Sequence, residues 1–128
     1  MNSPELKIQH DCFILLQKCG IFAHSCPNES AGRSRIAQTQ LVSAGLVSGV
    51  ADMVVWWPNR SVIEGGFMPT HKQQPYPVTI GYVEFKTRTG RQSDTQKAFQ
   101  ELCATHGIEY ALVRSVQDME DLIRLHLA

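Results

Sequence analysis

The chain has 128 residues, of which 43% are apolar and 19% charged. That suits one folded domain, 1–128, able to bury roughly 65–70% of its unfolded surface, and it excludes an intrinsically disordered polypeptide. Twelve basic and twelve acidic residues give a net charge of zero, which weighs against a protein that binds nucleic acid over a uniformly basic surface. No apolar run approaches the ~18 residues of a membrane span. Met1 to Lys7 has no basic stretch leading into an apolar one, so no secretory signal is expected. Cys12, Cys19, Cys26 and Cys103 form no disulfide framework, and reduced thiols in a cytosol are the simpler reading.

The first element reads as a helix over Pro4–Cys19. Ser3 can cap it, Pro4 suits its first position, and Gly20 stops it. Gln9, Cys12, Phe13, Leu16 and Cys19 recur at helical spacing and predict a buried stripe. Ile21–Ser25 reads as a short strand and Pro27–Gly32 as a loop. A second helix is expected over Arg33–Ala44, closed by Gly45. Val50–Trp57 is β-rich and ends at Pro58-Asn59-Arg60. Ser61–Pro77, with Gly65-Gly66 and three prolines, is a hairpin-like excursion with a short strand at Ser61–Ile63. Val78–Thr87 is a clear strand, and Thr89-Gly90-Arg91 turns the chain. A helix follows over Ser93–His106, with Ala98, Phe99, Leu102 and Cys103 as its apolar face. Glu109–Arg114 is a strand and Val116–Leu127 a final amphipathic helix. This order predicts an α/β fold, a mixed central sheet flanked by helices.

The charge is unevenly spread. Lys86, Arg88, Arg91 and Lys97 fall close together, Arg33 and Arg35 form a second pair, and acids gather near the C-terminal end. A locally basic face on a neutral protein is therefore open. Within the strand over 78–87, Glu84 and Lys86 share one face with Tyr82, while Phe85 points to the other. A carboxylate and an ammonium on an interior strand are costly unless paired or used. Asp52 sits where the preceding strand begins, and two carboxylates on neighbouring strands can share a hard divalent cation. The bland alternative makes Glu84–Lys86 a solvated surface pair and Asp52 a turn residue.

Three stretches carry a family likeness: Gly49-Val50-Ala51-Asp52-Met53-Val54-Val55, Val83-Glu84-Phe85-Lys86, and Gly90-Arg91-Gln92-Ser93-Asp94-Thr95-Gln96. In this order they resemble the VRR-NUC family of PD-(D/E)XK nucleases. Pro27-Asn28-Glu29, the pair Glu5 and Gln9, and the closing strand Tyr110–Ser115 resemble further parts of its pattern, so the likeness runs from about Glu5 to Leu122. Ala51 departs from the family's proline, a position that shapes backbone only. The resemblance implies a restriction-endonuclease-like core and a Mg²⁺- or Mn²⁺-dependent DNA endonuclease. Asp52, Glu84 and the Phe85 carbonyl would hold the metal, and Lys86 would orient the attacking water and steady developing charge. It also implies branched or structured DNA, such as Holliday junctions, in replication or repair. A homodimer would cut two strands symmetrically, in the cytoplasm of a bacterial or phage-infected cell. A nucleic-acid-binding module on the same fold, without catalysis, is the alternative.

Two residues keep two readings each. Ser93 and Gln96 match a capping box, whereas the resemblance puts Gln96 at the active-site edge. Glu5 suits the first turn of a helix, or it reaches the site from the helix end. Arg91, Arg88, Arg33 and Arg35 are candidate phosphate contacts or solvated charge, with Arg91 favoured because it follows the Glu84 strand. For Cys12, Cys19, Cys26, His10 and His24, packing is expected over zinc, since no Cys-x-x-Cys pair is present. Trp56 and Trp57 are expected in core and interface, on opposite faces.

Overall fold

The computed structural model describes residues 3–26, 35–45, 47–58 and 77–127. Among them the order is α1 (Pro4–Lys18), β1 (Ala23–Ser25), α2 (Arg35–Ser43), β2 (Met53–Pro58), β3 (Val78–Phe85), α3 (Asp94–Thr105), β4 (Glu109–Val113) and α4 (Val116–Leu127). This is the order expected from periodicity. The loop at Pro27–Gly32, Arg33 and the excursion with its strand at Ser61–Ile63 lie outside the described residues.

Local chemistry explains the helix ends. The Ser3 hydroxyl accepts from the Leu6 amide, and Pro4 opens α1. Gly20 takes φ 73°, and the amides of Gly20 and Ile21 return to the carbonyls of Gln17 and Leu16. That left-handed stop satisfies the last carbonyls of the helix and turns the chain into β1.

The four strands form one mixed sheet in the order β1-β2-β3-β4. The β1/β2 and β2/β3 pairs are antiparallel, and β3/β4 is parallel. A parallel neighbour needs a crossover, which α3 supplies. One sheet face carries Met53, Val55, Trp57, Val83, Phe85 and Val113. It packs against Cys12 and Leu16 of α1 and Met119 and Ile123 of α4. Each large side chain buried there contributes about 1.5–3 kcal/mol. The other face bears Tyr82, whose ring meets Phe99 of α3 edge-on at 4.9 Å.

The burial corrects two expected stripes. Cys12 and Leu16 are buried but Cys19 is exposed, because it caps α1 beyond the packed turns. On α3, Cys103 is buried while Ala98 and Leu102 face solvent. This helix seals its edge of the sheet along a narrow line, and periodicity overstates that line's width. The tryptophans divide as their alternation requires. Trp57 is buried and stacks on His126 at 4.2 Å, and exposed Trp56 leans on Phe22 at 4.7 Å.

Candidate active site

Register places the two carboxylates. Met53 pairs with Val83 across the antiparallel β2/β3 ladder, so Asp52, one residue earlier, lies opposite Glu84. The Asp52 carboxylate accepts a 2.7 Å hydrogen bond from the Phe85 amide. Its own carbonyl accepts from the Cys26 amide at 2.7 Å. Asp52 thus ties the ends of β1, β2 and β3 together.

Glu84 is 0% exposed and Lys86 only 9%, which removes the solvated surface pair as an account of them. β3 ends at Phe85, so Lys86 lies just past the strand and is still buried. One Glu84 oxygen, Oε2, accepts from the Gln96 amide at 2.8 Å. The other, Oε1, is buried and unpartnered. When Glu84 is protonated its carboxyl hydrogen-bonds the Asp52 carboxylate; with both acids ionised, a buried oxygen without a donor is costly.

The electrostatics agree. Burial first, then the Asp52 charge, push the Glu84 carboxyl up to about 8 against the pull of Lys86. Burial also raises Asp52, with the Glu5 charge adding to it, while the Phe85 amide and Lys86 act the other way. Because Asp52 has the amide partner that favours its charged form, the proton shared near neutral pH rests mainly on Glu84. Three carboxylates therefore influence one another beside a single buried lysine.

Gln96 makes the expected capping box and, through its side-chain amide, also holds Glu84. Its Oε1 accepts from the Ser93 amide at 2.8 Å, the Ser93 hydroxyl accepts from the Gln96 amide at 3.2 Å, and its Nε2 holds Glu84. The capping box thereby fixes the side chain that orients the acid. Gly49 makes this approach possible. It takes φ 84°, and a Cβ there would stand 2.3 Å from the Thr95 carbonyl oxygen. The start of α3 rests directly on the Gly49 backbone.

Glu5 lines a cavity of about 350 Å³ with Ser3, Leu6, Gln9, Ser25, Cys26 and Asp52. The N-terminal turn of α1 thus lies beside Asp52. Arg88 and Arg91 are exposed in the loop after β3, and Arg35 is exposed at the start of α2. Cys12 is buried in the core while Cys19 is exposed.

Three contributors were not anticipated. Arg114 donates through Nη1 to the carbonyls of Thr87 and Gly90, each at 2.7 Å, and clamps the loop bearing Arg88. Tyr110 lies across from Tyr82 on β4. Its hydroxyl is pushed up to about 12 by burial and then by the Glu84 charge, and it accepts from Gln92 at 3.1 Å. Cys26 sits at the cavity wall. Strand alternation would have singled out Tyr110, whereas nothing local in the sequence points to the long-range contacts of Arg114.

The family model of the VRR-NUC domain matches residues 16–117. The chain belongs to the VRR-NUC family. Searches of curated proteins and of solved structures return no match. The matched span holds Asp52, Glu84, Phe85, Lys86 and Gln96. Glu5 precedes it, so its place in the site rests on geometry alone. A VRR-NUC domain implies a nuclease-type function, and the mixed four-stranded sheet flanked by helices is consistent with that domain. No helix among the described residues is long and apolar enough to cross a membrane.

A divalent cation was tested against these donors. Among the described residues no three His, Cys, Asp or Glu side chains converge to hold a metal. The protein ligands on offer are Asp52, Glu84 with its unpartnered Oε1, and the Phe85 carbonyl. Two carboxylates and one peptide oxygen, with water completing the shell, suit Mg²⁺ or Mn²⁺ and lack the soft ligands typical of structural zinc. The donor set fits.

Proposed function

We propose that this VRR-NUC domain is a metal-dependent DNA endonuclease, with Asp52, Glu84 and the Phe85 carbonyl holding Mg²⁺ or Mn²⁺. The observation that carries this reading is the close pair of carboxylates, buried Glu84 and part-buried Asp52, at the paired ends of β3 and β2, two acids that disfavour each other's charge and whose repulsion a cation would relieve. The metal, when bound, supplies Lewis-acid stabilisation of phosphate charge and lowers the pKa of water. The chain's own groups do the rest. Lys86 holds the attacking water and steadies negative charge on the phosphate oxygens. Gln96 is a positioning residue that fixes the Glu84 carboxylate. Glu5 lines the cavity wall and adds negative charge that draws the cation. Arg91 and Arg88 lie in the loop after β3, held in shape by Arg114, and contact backbone phosphates. Arg35 extends the basic surface, and Arg33 is a further candidate phosphate contact.

The substrate is branched or otherwise structured DNA, as in replication and repair, the class that the family likeness implies. A homodimer supplies the second cut, and the exposed Phe22–Trp56 pair is apolar surface suited to the contact.

The test incubates the protein with labelled four-way junction, flap, duplex and single-stranded DNA, in Mg²⁺, in Mn²⁺ and in EDTA, beside Lys86→Ala. The expected result is metal-dependent cutting of branched DNA, reduced roughly a hundredfold to ten-thousandfold by the substitution. DNA binding without cutting in either metal would instead support the binding module.

A further inference from the structure

Beside the cavity at Asp52 lies a second one, of about 450 Å³, between α1 and the edge strand β1. Leu6, Gln9 and Ser25 line both, so the two cavities adjoin. Leu6, Phe13 and Met53 give it an apolar lining, to which His10 and His24 add polar rings. The volume lies within the range of small-ligand pockets, and an apolar lining with a few placed polar groups is their usual construction.

The polar groups are of a particular kind. Gln9 offers an amide donor and an acceptor together, and Ser25 offers a hydroxyl. His24 Nδ1 lies 3.0 Å from the Ser25 carbonyl. That carbonyl can only accept, so the ring donates to it through Nδ1 and leaves Nε2 as a further polar group. An apolar lining with mixed donors and acceptors, and with no carboxylate, lysine or arginine among its residues, matches a nucleobase rather than a phosphate.

We infer that this cavity receives the unstacked base of a nucleotide next to the phosphate held at Asp52 and Glu84. The inference rests on the nuclease reading and deepens it. A base inside a duplex must be unstacked and unpaired to enter, which costs a few kcal/mol, and least for a base already unpaired. The pocket therefore favours junctions, flaps and single-stranded ends over continuous duplex, and gives structure selectivity a physical origin in this chain.

The experiment uses two flap substrates that differ at one nucleotide beside the cut, one carrying its base and the other an abasic site. Cutting in Mg²⁺ is compared for the wild type, His10→Trp, which fills the cavity from an exposed helix position, and His24→Ala. The wild type is expected to cut the base-bearing flap about tenfold more efficiently, through KM. His10→Trp is expected to cut both flaps at the wild-type abasic rate. Equal cutting of the two flaps by the wild type, or a preference untouched by both substitutions, would overturn the inference. Failure of the wild type to cut either flap would overturn the nuclease reading itself, and the pocket's role with it.

Discussion

At the scale of single residues, Asp52 carries two duties that a substitution can separate. Its carboxylate accepts from the Phe85 amide and is a candidate metal ligand. Asp52→Asn keeps an acceptor oxygen and loses the charge, so it should fold nearly as well as the wild type while losing metal binding. Asp52→Ala also strands a buried amide and should cost about 1–3 kcal/mol more. Urea denaturation in EDTA, paired with titration of Mn²⁺ into each variant, separates the duties. Equal stability of the two variants would show that the Phe85 hydrogen bond adds little.

Glu84 makes the second prediction at this scale. Its folded pKa of about 8 lies above the ordinary carboxylate value of 4.5, so the folded metal-free chain binds a proton that the unfolded chain has released. Stability in EDTA is thus highest below the unfolded value, falls as pH rises between 4.5 and about 8, and levels off above that. The slope is on the order of 1.4 kcal/mol per pH unit at most. Glu84→Gln removes the dependence, and its denaturation midpoint in EDTA should exceed that of the wild type at pH 9 and approach it at pH 5. Parallel pH profiles for the two proteins would contradict the buried-acid account.

At the scale of elements, the site depends on how α3 meets the turn before β2. Gly49→Ala places a methyl 2.3 Å from the Thr95 carbonyl oxygen and imposes a φ of 84° on a residue with a Cβ. Backbone must move, and it moves the helix start that carries Gln96. The variant should lose about 2 kcal/mol or more and lose activity beyond what that instability explains. Thermal unfolding and cutting rates measured well below the midpoint distinguish the two losses. Much of this arrangement was legible beforehand, since the Gly49 and Ser93–Gln96 stretches stand among the recognisable motifs. The structure adds the reason they occur together: one packs directly on the other. Other features escaped a reading by pattern. Cys19 and Leu102 occupy helical positions that periodicity assigns to the core, yet only part of each helix meets a neighbour, so burial stops short of them. Arg114 reaches carbonyls more than twenty residues away, a contact set by the parallel β3/β4 pairing rather than by local spacing.

At the scale of the whole molecule, a neutral chain handles a polyanion by concentrating its charges. Glu5, Asp52 and Glu84 influence one another at one site, where, under the proposed function, a cation would offset their charge. Exposed arginines occupy the loop after β3 and the start of α2. The order of helices and strands followed from hydrophobic period together with caps and turn residues, because α1 and α4 each lay an apolar face on the sheet. The meeting of Asp52 with Glu84 did not follow from period; it needed the family likeness, and in the structure it follows from the antiparallel register of β2 and β3. The central claim is that those two acids serve a cation in phosphodiester cleavage. The most direct test follows cutting of a labelled four-way junction by the wild type and by Glu84→Gln, which keeps an acceptor for Gln96, in Mn²⁺ and in EDTA. The account predicts cutting by the wild type in Mn²⁺ alone, and a loss of at least a hundredfold in the variant although it remains folded. Cutting by Glu84→Gln at the wild-type rate, or cutting by the wild type that EDTA leaves unchanged, would contradict it.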